Sequence, residues 1–247
     1  MESAAAQAPT DRPAGTDAAG TDGPRARNRA RIERRLREVG RRHLAEYGAA
    51  ALSLRAVARD MDIAPSALYR YVAGRDDLLT VLIVDAYTDL ADAIDAAVST
   101  RRTARTRFLA LTDALRQWAL AHPSEYALIY GSPVPGYRAP AESTNPAGER
   151  PLLALAAIVA GTESVPEVPG THARAQSAAA DALTALADDA ALPPGTAPAV
   201  LARTLVVWNL LLGAVSSELF EQLGPITEQP ATVYAATADL AAALLFG

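Results

Sequence analysis

Three arginines and a group of small or hydroxyl-bearing side chains between Ser53 and Arg75 carry the clearest chemistry in this sequence. Arg55, Arg70 and Arg75 stand beside Ser66, Ala67, Tyr69 and Tyr71 in the run SLRAVARDMDIAPSALYRYVAGR. A guanidinium is a permanent cation with a planar fork of donors, suited to phosphate oxygens or to the O6/N7 edge of guanine. An alanine methyl can touch a thymine methyl, and a hydroxyl can bond either phosphate or base. The charge distribution has the same sense. Residues 25–75 hold 13 Arg against five acids, whereas the remainder holds 10 Arg against 23 acids, so a segment of +8 is joined to a body of −13. One surface is thereby suited to a polyanion that the body would repel.

Other chemistry is poorly served. There is no cysteine, hence no disulfide, thiolate metal site or thiol nucleophile, in keeping with a reducing cytoplasm. His43, His122 and His172 are not spaced as metal ligands, and neither a phosphate loop nor a Gly-x-Ser-x-Gly run is present. An enzyme is therefore not expected, nor a cofactor. All 23 cations are Arg and Lys is absent, a bias that in an Ala-rich chain reflects base composition as well as chemistry. The apolar runs at 78–84 and 205–215 fall far short of the ~20 residues that span a bilayer, so no membrane association is expected.

The elements that must position these side chains are helices. Ala and Leu dominate while aromatic and β-branched residues are sparse, which favours helix packed on helix. Residues 1–24 read as a disordered tail. Ile32, Leu36, Val39, Leu44 and Tyr47 mark an amphipathic helix from Arg27 to Tyr47, stopped by Gly48. Ser53 can cap a second helix carrying Leu54, Val57, Ala58 and Met61, and Pro65 suits the first position of a third, ending near Tyr71. A fourth runs from Arg75 to about Val98 and links two domains. A fifth spans about Arg101 to Ala121, closed by His122-Pro123, and a short sixth carries Tyr126, Ile129 and Tyr130. Residues 132–150, rich in Pro, Gly and polar side chains, read as a loop; helical patterns resume at about 151–160, 172–190, 198–222 and 230–245. The expected architecture is all-α: a helix-turn-helix domain over 25–74 and a larger helical bundle over 75–247.

Two short helices joined by a tight turn form the unit that lays a recognition helix in the major groove of DNA. The segment resembles the TetR family. Leu52, Leu54, Val57, Ala58, Met61, Ile63, Leu68 and Tyr69 fall on that family's apolar positions, Leu68-Tyr69-Arg70-Tyr71-Val72 matches its Leu-Tyr-x-His-Phe-like signature, and Arg75-Asp76-Asp77-Leu78-Leu79 matches its Lys-x-x-Leu-Leu opening of the fourth helix. Three positions depart from the pattern. Asp62 stands where the family has Gly, at a turn position that tends to be left-handed; Ala64 replaces a Ser or Thr cap; Tyr71 replaces His.

The resemblance implies a regulator that binds double-stranded operator DNA as a homodimer and is a repressor released by a small-molecule effector. By family position Arg55 contacts a base edge or a phosphate, Ser66, Ala67 and Arg70 face the bases, and Tyr71 and Arg75 meet phosphate. Tyr69 either reaches a phosphate or packs the third helix, and core packing is likewise the alternative for Tyr71. Arg25, Arg27, Arg29 and Arg31 form an arm that either enters the minor groove or stays solvated. The body resembles the WHG type of C-terminal domain through Trp118, His122-Pro123, Tyr126, Tyr130-Gly131 and the Val207-to-Gly213 run, with Leu212 in place of the His. Trp118, Tyr126, Tyr130 and Trp208 are the candidate effector pocket, with ordinary core packing as the alternative. Leu205, Trp208, Leu212, Val215 and Leu219, with Leu240 and Leu244, form stripes that could bury an intersubunit four-helix bundle, with a purely intramolecular core as the alternative. An architectural DNA-binding protein without an effector is the competing function.

Overall fold

The computed structural model describes residues 23–160, 162, 172–183, 192, 196–222, 224 and 227–247; the tail expected over 1–24 lies, up to residue 22, outside them. Every regular element among the described residues is a helix. Pro24, whose fixed φ suits a first helical position, opens α1 (Pro24–Tyr47) one turn earlier than Arg27, so Arg25, Arg27, Arg29 and Arg31 are helical and not an extended arm. Gly48 ends it at φ 74°, its N–H on the Leu44 carbonyl at 2.9 Å. A 3₁₀ turn (Ala49–Ala51), α2 (Leu54–Asp60) and α3 (Pro65–Leu68) complete the head.

Helix α4 (Arg75–Ser99) belongs to two cores. Leu78, Leu79 and Leu82 are buried with Leu36, Val39, Val57, Leu68 and Val72 of the head. Ala86, Leu90, Ile94 and Val98 of the same helix are buried with the body. At the junction Arg41 of α1 bonds both Asp85 and Asp89 of α4, and the opposed carboxylates hold its guanidinium in the charged form despite burial. A Cβ on Gly40 would stand 3.1 Å from Leu82, so the two helices meet where α1 has no side chain.

The body is α5 (Ala104–Ala121), α6 (Pro123–Tyr130), α7 (Ala141–Gly148), α8 (Arg150–Ala160), α9 (His172–Ala182), α10 (Pro198–Leu219) and α11 (Pro230–Phe246). Helix α5 starts at a Thr103/Thr106 capping box, three residues inside the expected start. Helix α7 corrects the expectation of a loop over 132–150. Pro140 supplies the carbonyl that both Thr144 N–H and Thr144 Oγ1 bond, each at 3.0 Å, and burial of Thr144 and Ala147 stabilises a helix whose propensity is poor. Gly148 lets α7 lie against Tyr87 of α4, where a Cβ would be 3.3 Å from the ring. Helix α9 ends at Ala182; the rest of the expected 172–190 helix lies outside the described residues.

Helix α10 is longer than its apolar run, and its packing decides which side faces inward. At 22 residues it is long and apolar enough to cross a bilayer by length and composition, because the helix continues beyond the apolar run at both ends. Its inward side is a core face: Val207, Trp208, Leu211 and Val215 are buried within the chain. Arg116 of α5 grips Glu218 with two hydrogen bonds, 2.6 and 2.8 Å, and Tyr126 donates to the Leu212 carbonyl at 3.0 Å. Trp208 and Val215 are therefore spent inside the subunit. The apolar residues left outside are Val206 and Leu210 on α10 and Val233, Leu240 and Leu244 on α11, the helix that packs beside it.

In the head, buried His43 of α1 sets Nε2 2.8 Å from Asp60 Oδ2 at the end of α2. The hydrogen bond from His43, with Arg42 second among the neighbours that favour it, holds the Asp60 carboxyl below the ordinary carboxylate range. A depressed carboxyl stabilises the fold at pH values above its ordinary pKa, and that contribution is lost as pH falls through the folded value. Asp60→Asn is expected to lower the melting temperature at neutral pH and to flatten the loss of stability below the ordinary Asp value of about 3.9. Thermal melts of both proteins across acidic pH measure this.

Candidate nucleic-acid interface

The turn between α2 and α3 is built by backbone bonds. Ile63 N–H reaches the Ala58 carbonyl at 3.1 Å and Asp62 N–H the Arg59 carbonyl at 3.0 Å, which requires Asp62 to adopt φ 58°. That is the left-handed region that Asp tolerates better than most side chains. Ser53 Oγ accepts from Ala56 N–H at 3.5 Å at the start of α2, while Ala64 begins α3 with no side-chain cap. Leu68, fully buried, pins α3 to the head core. Beyond it the chain tightens: Arg70 and Tyr71 bond carbonyls three residues back instead of four, so regular helix stops at Leu68, short of Tyr71.

This winding leaves Ser66, Tyr69 and Arg70 exposed, with Ala67 and Tyr71 half-buried and Arg55 exposed on α2. The neighbouring arginines are engaged: Arg29 with Glu33, Arg37 and Arg41 with Asp85, Arg42 and Arg59 with Asp60. The guanidinium groups of Arg55 and Arg70 have no hydrogen-bond or ion-pair partner among the described residues. Two unpaired cations thus flank the short helix whose outer side carries Ser66 and Ala67.

Tyr71 packs against the head core and lies beneath the Arg29 guanidinium, 5.8 Å from its ring centroid. Arg75 has internal work as well. Its Nη2 donates to the carbonyls of Ala49 and Ala50 at 3.0 and 3.2 Å, and Nη1 is 3.3 Å from Asp76. It ties the 3₁₀ turn to the start of α4, a role that family position alone does not reveal.

In the body, Tyr130 is the hub of an aromatic group, with ring centroids 5.7 Å from Tyr87, 5.3 Å from Tyr126 and 6.2 Å from Trp208. Trp118 stands apart, stacked on His122 at 5.2 Å. Trp118 Nε1 and the Tyr130 hydroxyl are both buried without a hydrogen-bond partner, and burial pushes the Tyr130 hydroxyl well above the usual tyrosine range. Two donors without acceptors in an apolar core are costly unless an acceptor is supplied. Leu212, standing where the WHG pattern has His, contributes its carbonyl to Tyr126. Of the four predicted pocket residues, Tyr130 also lines a cleft of about 910 Å³ between body and head. The other walls of that cleft come from Leu44, Gly48–Ala50, Ser132–Pro135 and the end of α10, small and scattered residues with no motif to announce them.

Residues 108–241 match the family of tetracyclin repressor-like C-terminal domains. HTH-type transcriptional regulators of Mycobacterium tuberculosis and Mycobacterium bovis are each 36% identical over 226 residues, spanning 90% of this chain and 96% of their own. The chain belongs to the TetR family. The crystal structure of the regulatory protein SCO4313 superposes with a TM-score of 0.72 at 32% identity, over 89% of this chain and 98% of that one. FadR of Bacillus subtilis shares the fold at 9% identity, with a TM-score of 0.59 over 85% of this chain and 98% of its own. This TetR-family protein is a DNA-binding transcriptional regulator.

The exposed arginines of this TetR-family head separate from the internal one by a stability measurement. Arg55→Ala and Arg70→Ala, which break no internal bond, are expected to change unfolding free energy by under about 0.5 kcal/mol. Arg75→Ala removes charged hydrogen bonds to two carbonyls and is expected to cost about 1–3 kcal/mol. Urea denaturation of the three variants measures both.

Proposed function

We propose that the protein is a homodimeric repressor that occupies a two-fold operator and leaves it when a small molecule binds. The observation that carries the DNA-reading role is the pair of unpartnered, outward arginines, Arg55 and Arg70, beside the exposed side of α3. Arg70, Ser66 and Ala67 read base edges, whereas Arg55, Tyr69, Tyr71 and Arg75 hold the phosphate backbone and fix register. Arg75 does so from a position fixed by Ala49 and Ala50.

The dimer reading rests on the stripe formed by Val206 and Leu210 with Val233, Leu240 and Leu244. Leu240 is 68% exposed and Val206 62% in the single subunit, on two helices that pack side by side, so a partner copy could cover both. A two-fold axis through this stripe brings α10 and α11 of both copies into a four-helix contact and sets two α3 helices facing one side. The effector reading is supported by the unpartnered donors of Trp118 and Tyr130, the second of them grouped with Tyr126 and Trp208, and by the α4 helix that joins body to head. In FadR of Bacillus subtilis the same fold holds stearoyl-CoA. The protein works without catalysis or cofactor, in the cytoplasm, where its DNA lies. The organisation into a reading head over 25–74 and an effector and dimerisation body over 75–247 is part of this proposal.

Footprinting on bound genomic fragments is expected to give a palindromic protection with half-sites one helical turn, ~34 Å, or a multiple apart. A double variant, Val206→Glu with Leu240→Glu, is expected to sediment as a monomer and lose that footprint; a dimer that persists removes this interface from the proposal. Selection of preferred sequences with Arg70→Ala is expected to relax one base position, worth about 1–3 kcal/mol of discrimination, with the salt dependence otherwise kept. Equal loss on every sequence would show that Arg70 meets phosphate instead.

A further inference from the structure

We propose that the releasing ligand is a neutral, largely apolar small molecule seated in the cleft between head and body, walled by Leu44, Ala49, Ala127, Tyr130, Pro133 and Phe220. This rests on the reading of the chain as a ligand-released regulator and assigns that ligand a place and a chemistry. The cleft, about 910 Å³, is of the size that small-molecule sites occupy. Its walls come from three parts of the chain: the end of α1 with the 3₁₀ turn, α6 with the loop after it, and the last turn of α10. The aromatic group of Tyr126, Tyr130 and Trp208 backs it, reached through Tyr130 and through Ser216, whose Oγ is 3.0 Å from the Tyr126 hydroxyl.

The ligand class follows from the lining. In a chain of 23 cations and 28 acids, no Arg, His, Asp or Glu among the described residues lines this cleft. A charged ligand would meet no opposite charge on these walls to offset the water it gives up. Ser124, Ser132 and Gln222 line it with side chains that have no hydrogen-bond partner among the described residues, so each can meet a carbonyl, ether or hydroxyl oxygen of the ligand. A fatty acyl-CoA, with its phosphates, is the wrong chemistry here.

The cleft is also wired to the DNA-reading surface. Its head wall includes Ala49 and Ala50, whose carbonyls are held by Arg75 at the start of α4. Its body wall includes the loop Gly131–Val134, which has a second cleft of about 550 Å³ on its other side, against α4 and α7. That loop turns at Gly131, where a Cβ would lie 2.3 Å from the Ala127 carbonyl oxygen, and is tied to α4 by Tyr137 and Thr80 hydroxyls 2.9 Å apart. A molecule that fits better when the two walls are farther apart binds the off-operator orientation of the head more tightly, and this difference is the whole of its power to release DNA.

The test uses the full chain with two fluorescent probes of similar size, neutral N-phenyl-1-naphthylamine and anionic 8-anilinonaphthalene-1-sulfonate. The neutral probe is expected to bind at one site per chain, at least about tenfold more tightly than the anion, and to lower operator affinity about five- to 150-fold by anisotropy. Ala45→Trp, on the exposed side of α1, and Ala127→Trp, on α6, fill the cleft from opposite walls; each is expected to abolish both effects. Asn145→Trp, in the second cleft, is expected to keep them. Neutral-probe binding that survives both filling variants, or equal binding of the anion, overturns the site and its chemistry. Binding lost in the filled variants but without any release of operator in the unaltered protein overturns the ligand-released reading and leaves the cleft a binding site.

Discussion

One helix with two cores is the constraint on which the rest depends. Leu78, Leu79 and Leu82 of α4 are fixed in the head, and Ala86, Leu90 and Ile94, one to three turns later, are fixed in the body. An α-helix has no soft joint within a continuous hydrogen-bonded run, so 25 residues of α4 behave as a rod of about 37 Å. Arg41 adds a lock where the cores meet, its guanidinium shared between Asp85 and Asp89. Head and body therefore move together along α4 and can change their relation chiefly where they face each other off it, across the cleft beside Ala49 and Ala50.

The same junction explains how a head with a +8 segment stays compact. The acids of α4 and of α2 neutralise the inward and lateral arginines of α1: Asp85 and Asp89 take Arg37 and Arg41, and Asp60 takes Arg42 with His43. Exposed pairs of this kind add little stability each. Their larger effect is geometric, since they engage the arginines that face α2 and α4 and leave Arg55 and Arg70 among those with no acidic partner among the described residues. The charge available to a polyanion thus depends as much on which arginines are paired as on which are present.

Local backbone demands were legible in the sequence, and tertiary choices were not. Asp62 at a left-handed turn position, Ser53 as a cap, Gly48 as a stop and Pro65 as a start are each dictated by one residue's own conformational range, and all four stand as read. Helix α7 was hidden because its composition argues for a loop, and burial of Thr144 and Ala147 outweighs that preference. The register of α10 was hidden for a different reason. With apolar residues on nearly every side, its sequence does not say which face turns inward, and packing against Tyr126, Tyr130 and Arg116 decides for Trp208 and Val215. The cleft had no signature at all, being lined by small, apolar and uncharged polar residues from three distant segments.

Helix α10 joins features that sequence keeps apart. Its outward residues Val206 and Leu210 lie about two to four turns from Ser216 and Phe220, which close the cleft, and from Glu218, which Arg116 fixes to α5. A ligand pressing on the Phe220 end can tilt α10 only by straining the Arg116–Glu218 fork and the Tyr126 bond to the Leu212 carbonyl, both short and shielded. The head offers less resistance, because the wall at Ala49 and Ala50 is a single 3₁₀ turn held by one arginine. Displacement at the cleft should therefore fall mainly on the head side, moving α3 relative to the body. In the proposed homodimer, that division of stiffness would change the spacing of the two α3 helices while leaving the subunit contact in place.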